Sequence, residues 1–469
     1  MTVFLPVAIP LLGALVIISW GSSVTRCTRL LAVTGMLHTL STVLLFFYPA
    51  SNEYIGADGM GYLVLALASI LFFFVSWHIR SWLPATLEFE GDKTMSPRVF
   101  ASLFSAFLAT MSLVALAKNF GLLWVAVEAT TLASAPLVIF RRTPQSLEAM
   151  WKYLLICSVG IGLALFGTML LGVASYGSHA GLDMELLAQY RDKMDPQWFR
   201  MAFIFCFAGY GLKMGLAPFH TWLPDAHGAA PAVEPALLSG ALLNCAFLGM
   251  IRVAGVAPVA LNGFCSSFFV VFGMISLVVA AIFIIRQHDF KRMLAYSSVE
   301  HMGLLSLMWG LGLWQVAELH MIGHSLNKMT LFLLSGSIII AYRTNLVKGV
   351  SGMFGRIPKT AVLWMIGIFL ICGTPPSPLF ISEFLLVRGA GIWLGGAILL
   401  LLFVIFCGMS ANVLKMCMGD NDNEPEFQAG NEAAEKLSLI PAFVVGLLLT
   451  SGCVLLYVLC QMLKLTVGC

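Results

Sequence analysis

The stretch Tyr210-Gly-Leu-Lys-Met-Gly-Leu-Ala-Pro-Phe-His-Thr-Trp-Leu-Pro-Asp-Ala-His227 puts a lysine where an apolar helix should have none. Predominantly apolar runs flank it, Met201 to Ala208 before and Pro231 to Met250 after, so Lys213 falls inside a membrane segment. Pro218 removes a backbone donor shortly afterwards and Pro224 repeats the interruption, so the helix should break within the bilayer and free several carbonyls. Such a break is tolerated only where protein or water satisfies those groups. A charge at bilayer depth beside an interrupted helix points to a functional site, most often an ion or proton path.

The rest of the chain fits this reading. Of 469 residues 59% are hydrophobic and 10% charged, with a mean hydropathy of +0.93, far from the soluble globular range. At about 20 apolar residues per span, the sequence predicts about fourteen, near 3–20, 29–49, 61–77, 99–117, 120–140, 152–175, 201–222, 232–257, 265–286, 293–312, 314–341, 360–388, 391–415 and 437–463. Little is left for a soluble domain. The first span lacks the basic lead and small-residue site of a cleavable signal peptide.

Seventeen Lys and Arg residues fall in one set of loops and seven in the alternate set, which with an even span count puts both termini on the outer face. The net charge of +3 says nothing about partners, because nearly every charge is a topology or intramembrane charge. The eleven cysteines form no C-x-x-C pair and no Cys/His ligand spacing, so they read as small core residues rather than ligands of a cluster or structural zinc.

Several further polar groups lie at membrane depth. Glu128, about eight residues into the fifth span, must be protonated, paired or hydrated. It either snorkels to a nearby interface or pairs with Lys213 as a two-state switch. Asn244 is the one central polar group of the eighth span, where it either carries water or bonds a neighbour. Lys291 and Arg292 read as topology charges in the headgroup layer, whereas Glu300 and His301 lie deeper, and His can exchange a proton near neutral pH. Met184 to Tyr190 suits a short amphipathic surface helix.

The eleventh span is the most polar, and His320, His324 and Lys328 share one helical stripe with Asn327 beside them. The i, i+4 histidines lack a His-Glu-x-x-His pattern or partner ligands, so a metal or haem is disfavoured and no cofactor is expected. In the twelfth span Gly373-Thr-Pro-Pro-Ser-Pro378 breaks an apolar run, with Pro375 and Pro376 at its centre and Glu383 following at depth. Two proline-interrupted helices, each with an intramembrane charge, suggest an internal repeat of about five helices. The expected division is a three-helix scaffold at 1–98, a first repeat at 99–258, a second at 259–415, and an inner loop and last span at 416–469.

At these residues the chain resembles the antiporter-like subunits of respiratory complex I, multisubunit Na+/H+ antiporters and membrane-bound nickel–iron hydrogenases. The carriers are Trp124-x3-Glu128, Lys213-x4-Pro218-Phe-His220-x-Trp-Leu-Pro-Asp-Ala-His227, Asp289-Phe-Lys-Arg-Met-Leu-Ala-Tyr-Ser-Ser, His301-Met-Gly, His324-x3-Lys328, and the proline break followed by Glu383. The broken-helix signature is highly specific and the others are supportive. Ser-Ser-Val-Glu-His-Met-Gly and Leu-Leu-Ser-Gly-Ala-Leu-Leu-Asn are most similar to the hydrogenase branch. The resemblance implies an all-α fold of about fourteen transmembrane helices, with two inverted five-helix repeats and two broken helices.

It also implies roles. Glu128 matches the acid that modulates the central lysine, and Lys213 matches that lysine. His301, His324 and Lys328 match a connecting polar axis, Glu383 matches the outward half-channel, and His220, Asn244, Glu300 and His320 support the path. Two departures stand out: Asn244 where many relatives carry lysine, and Thr-Pro-Pro-Ser-Pro in place of a Gly-x-Pro-Pro context.

The expected protein is therefore a multi-pass subunit of a prokaryotic cytoplasmic membrane complex of respiratory or hydrogenase type. It would move protons, or Na+, with no redox centre of its own, beside lipid and other membrane subunits that include further antiporter-like ones, and would bind no nucleic acid. A subunit of a Na+/H+ antiporter and a membrane partner in inorganic-carbon uptake are rivals on the same fold. An enzyme would need a nucleophile, metal or phosphate motif, and none is present.

Overall fold

The computed structural model describes residues 2–90, 94–178, 180–418 and 428–467, and among them it is helical with no strand. Of the inner loop and last span expected at 416–469, residues 419–427, 468 and 469 lie outside the described residues. The chain forms two compact units, Met1–Phe268 and Phe269–Cys469.

The first unit holds α1 (Leu5–Trp20), α2 (Val24–Phe47), α3 (Gly59–Glu90), α4 (Pro97–Leu116), α5 (Phe120–Val138), α6 (Pro144–Ala174), α7 (Met184–Gln189), α8 (Pro196–Met214), α9 (Trp222–Ala229), α10 (Val233–Leu237) and α11 (Leu243–Gly255). A π-helical turn, Leu238–Leu242, joins α10 to α11. Helix α12 (Asn262–Ile285) carries the chain into the second unit. There follow α13 (Phe290–Gly310), α14 (Trp314–Tyr342), α15 (Met353–Arg356), α16 (Pro358–Ile371), α17 (Pro378–Gly389), α18 (Gly391–Met418), α19 (Gln428–Lys436) and α20 (Leu439–Val467).

Twelve helices among the described residues are long and apolar enough to cross a membrane, two fewer than the sequence predicts. The difference falls on α13, which carries Lys291, Arg292, Glu300 and His301, and on the interrupted pair α16 and α17. Within the segment Val233–Gly255 every residue from Val233 to Val253 is buried, which marks it as the centre of its unit rather than a lipid-facing span.

Helix ends follow the sequence. Thr143 and Ser146 cap α6 reciprocally with Pro144 at its first position, and the Asp195 carboxylate accepts the N–H groups of Gln197 and Trp198 to start α8. Helices α6 and α8 pack backbone to backbone, because Gly209 lies against the Gly160 carbonyl where no side chain would fit. That approach sets the lower half of α8 beside Tyr153 on α6.

Both interruptions form. Helix α8 stops at Gly215, which takes φ 80°, and the chain passes a cis Ala217–Pro218 bond and a 3-10 turn, Phe219–Thr221, before α9 resumes. Pro224, expected to repeat the interruption, instead occupies the first turn of α9, where its missing N–H has no intrahelical acceptor to lose. It restarts the helix. The second interruption separates α16 from α17, with Gly373 at φ 66° and a cis Pro375–Pro376 bond. The freed carbonyls are satisfied from within: the Trp222 indole N–H donates to Leu212 O at 2.9 Å, Thr374 Oγ1 to Phe369 O at 2.9 Å, and Ser377 Oγ to Leu370 O at 3.0 Å.

Two charges read from sequence as loop residues are in fact built in. Lys291 is buried at the start of α13, under the Asp289 cap, rather than free among headgroups. Arg252, at the end of α11, donates to Asp58 Oδ1 and to the carbonyls of Val114 and Ala115, each at 2.8–2.9 Å, tying α11 to the ends of α3 and α4.

Candidate functional site

The first centre surrounds Lys213, in the last turn of α8 immediately before the break and fully buried. An ammonium at that depth costs several kcal/mol unless it is met by polar atoms. Lys213 Nζ donates to Thr131 Oγ1 of α5 and to the Tyr153 hydroxyl of α6, each at 2.8 Å. The Tyr153 hydroxyl in turn lies 2.7 Å from Ser134 Oγ, and Lys213 Nζ sits 4.7 Å from the centre of the Tyr153 ring, where the π face adds attraction.

Glu128 does not pair with Lys213. Half-buried on α5, it takes a hydrogen bond from Ser158 at 2.9 Å, while its other oxygen is enclosed without a partner. It remains within Coulombic range of Lys213. No direct ion pair joins the two among the described residues, and a proton leaving Lys213 would meet Thr131 or Tyr153 first.

His220 is buried in the 3-10 turn of the break. Asn244 is fully buried and its amide donates to Gly240 O at 2.8 Å, so the neighbour it bonds includes its own helix, in the π turn. Such turns recur at functional sites in helices.

The second centre lies wholly within the second unit. His320, His324 and Lys328 stand on one face of α14, and all three are fully buried. His301 of α13 touches both histidines, with ring centres 5.1 Å from His320 and 5.0 Å from His324, and its Nδ1 lies 3.1 Å from His320 Nε2. Lys328 donates to Leu294 O at 2.6 Å and to Ser297 Oγ on α13. Among the described residues neither ring nitrogen of His324 has a hydrogen-bond partner.

On the other side, His320 Nδ1 meets Ser382 Oγ at 2.9 Å, next to Glu383 on α17. Glu300 and Glu383 are both buried. The polar groups therefore run Glu383, His320, His301, His324, Lys328 across three helices. These groups can store and pass protons by side-chain exchange, since each imidazole can accept at one nitrogen and donate at the other.

Sequence reasoning missed the hydroxyl groups that hold these charges and one acid. Thr131 stands one turn from Glu128 on the same face of α5, a signal that was available. Tyr153 follows Lys152 at a span edge, where it passes for an interfacial aromatic. Glu234, fully buried in α10, was masked by the prolines around it.

Residues 117–410 match the transmembrane family described as NADH:quinone oxidoreductase/Mrp antiporter. The chain is 34% identical over 75% of its length, and 75% of the relative's, to a hydrogenase-4 component F homologue of Methylacidiphilum infernorum. It is 29% identical to NADH-quinone oxidoreductase subunit N of Deinococcus radiodurans, covering 77% and 76% of the two chains. A chain of membrane-bound sulfane sulfur reductase, an archaeal respiratory membrane complex, shares the fold at a TM-score of 0.81 and 20% identity, over 96% and 93% of the two chains.

Proposed function

From the premise that this chain belongs to the NADH:quinone oxidoreductase/Mrp antiporter transmembrane family, we propose that it is a proton-translocating, antiporter-like subunit of a membrane-bound redox complex of hydrogenase or complex I type. One observation carries the reading: Lys213 is fully buried at a helix break and, among the described residues, donates its hydrogen bonds to the neutral hydroxyls of Thr131 and Tyr153 rather than to a carboxylate. A structural lysine at such depth would be expected to have a carboxylate against it. An ammonium held by hydroxyls can release its proton without leaving a stranded carboxylate behind.

In this reading protons reach Lys213 under the control of Glu128, with His220 and Asn244 supporting the inner side. They pass along His301, His324 and Lys328, with His320 and Glu300 beside them, and leave at Glu383. Glu128 tunes the lysine from a distance through its charge rather than by contact. The redox chemistry belongs to other membrane subunits, which drive this one conformationally or electrostatically, and further antiporter-like subunits are among them. The chain lies in a prokaryotic cytoplasmic membrane with both termini outside, as its loop charges favour. The topology proposed is fourteen spans: a scaffold at 1–98, inverted repeats at 99–258 and 259–415, and a closing segment at 416–469.

The match to a family that includes Mrp antiporters favours one second reading, exchange of Na+ for H+. Both are tested by reconstituting the assembled complex in vesicles and recording proton uptake with and without Na+ gradients. Lys213→Met should abolish uptake while the complex still assembles, and full uptake by that variant refutes the assignment. Na+-dependent uptake selects the second reading.

A further inference from the structure

We propose that His301, His320 and Glu383 form a binding site for a divalent transition-metal ion of the zinc type, at which the ion displaces the proton shared between the two imidazoles. This rests on the proton-path reading only in naming what the ion competes with. One ligand atom from each of the three residues lies within 4.8 Å of the others, and all three residues are buried. They come from α13, α14 and α17, so the site is tertiary and differs from the i, i+4 pair of His320 and His324 that the sequence suggests.

The geometry is close to a tetrahedral ion's. Zinc about 2.05 Å from two imidazole nitrogens sets them about 3.3 Å apart. His301 Nδ1 and His320 Nε2 are 3.1 Å apart, so their spacing fits the ion, and each ring turns by roughly 35° to aim its lone pair at it while the Glu383 carboxylate, within 4.8 Å, closes in. The donor set of two imidazoles and one carboxylate, with an open fourth position, is one that zinc uses.

The surrounding hydrogen bonds prepare one of these ligands. Ser382 Oγ donates to Leu379 O at 2.9 Å, so its oxygen accepts from His320 Nδ1 at 2.9 Å, and this puts the proton of His320 on Nδ1. His320 Nε2 is left as a lone pair aimed at His301, the outer-partner arrangement typical of metal-bound imidazole. His301 Nε2 makes no regular hydrogen bond among the described residues and can take the ring proton when Nδ1 turns to the metal. Glu383 Oε1 is likewise buried without a partner, and its carboxylate packs against Gly373, where no side chain obstructs it. Glu383 supplies one negative charge to the ion, and a second buried carboxylate, Glu300, precedes His301 on α13.

The test uses the whole membrane complex, stripped with chelator and titrated with Zn2+ alone, with metal content and zinc X-ray absorption as readouts. Wild type should bind one Zn2+ per chain more than His301→Gln/His320→Gln/Glu383→Gln. His320→Gln and Glu383→Gln alone should each weaken binding on the order of tenfold or more, while His324→Gln binds as wild type. Equal stoichiometry in wild type and the triple variant overturns the site, as does loss of binding in His324→Gln to the extent seen in His320→Gln. If the triple variant does not assemble, the wild-type spectrum decides: two imidazoles with a carboxylate supports the site, and any other ligand set overturns it. Metal-free proton uptake by wild type is measured in parallel, so failure of the metal site and failure of the proton reading are told apart.

Discussion

The carboxylate of Glu383 folds back over Gly373, across the second helix break, and fills the space that a Cβ on that glycine would need. Gly215 holds the same place in the first break, three residues before a cis proline and with φ likewise positive, but there a Leu223 methyl fills the space. One break is closed by an acid and the other by a hydrocarbon. Gly373→Ala should therefore do two things: strain a left-handed position by about 1–2 kcal/mol, and push Glu383 from its position. Gly215→Ala should incur the strain without moving a carboxylate. Proton uptake in vesicles separates them, with Gly373→Ala losing most activity at a similar fall in melting temperature; wild-type uptake by Gly373→Ala would show that the seat of Glu383 is immaterial.

The hydroxyl contacts of Lys213 make graded predictions. Tyr153→Phe removes a 2.8 Å hydrogen bond to the lysine together with the link to Ser134, leaving Thr131 as the remaining hydroxyl on Nζ. A buried ammonium that loses such a partner is destabilised by about 1.5–3 kcal/mol relative to its neutral form. Uptake by Tyr153→Phe should fall about tenfold or more, and Tyr153→Phe/Thr131→Val further still, while Ser158→Ala, which removes the hydrogen bond to Glu128, should have a smaller effect. The ordering is checked by initial rates at fixed imposed gradient; a Ser158→Ala defect exceeding that of Tyr153→Phe would place the control at Glu128 instead.

The side chains that satisfy the freed carbonyls should register as stability. Trp222→Phe keeps the ring against Tyr153 but removes the N–H that Leu212 O accepts. Since Gly215 N–H also reaches that carbonyl, at 3.1 Å, the expected loss is about 1 kcal/mol. Ser377→Ala removes both the donor to Leu370 O and the cap on Leu379 N–H of α17, and should lose about 2 kcal/mol. Thermal unfolding of the purified complex in detergent measures both, and a Trp222→Phe loss larger than that of Ser377→Ala would contradict this account.

What could be read from the sequence, and what could not, divides along a physical line. Charges in apolar runs are conspicuous because lipid makes them costly, so Glu128, Lys213, Lys328 and Glu383 were visible, and prolines in such runs marked both breaks. Hydroxyl groups are cheap in a helix, where they bond a carbonyl one turn back, so Ser134 and Ser382 gave no signal. The same holds for Ser112 on α4, which buried His38 of the N-terminal scaffold meets at 2.8 Å. Contact between His301 and both α14 histidines is tertiary, and no spacing within one helix encodes it. Pro224 was misread because a proline stops a helix or starts one according to where the turn begins, which depends on the break at Gly215.

The clamp between Arg252 and Asp58 sits at a helix end outside the spans and yields a pH prediction. Burial works to raise the Asp58 carboxyl, but the charge and hydrogen bond of Arg252, with the Gly61 N–H, outweigh it and hold Asp58 below the ordinary aspartate value. A carboxyl depressed in the folded state contributes stability that is fully present above its unfolded value, about 4, and is lost as pH falls through the lower folded value. Protonation also leaves the Arg252 guanidinium, buried against Val114 and Ala115 carbonyls, without its counter-charge. Asp58→Asn should therefore lower the melting temperature at neutral pH and show a shallower decline below pH about 4 than wild type. Melting temperatures recorded from pH about 3 to 7 in detergent provide the measurement, and an acid decline in Asp58→Asn as steep as that of wild type would remove this clamp as its source.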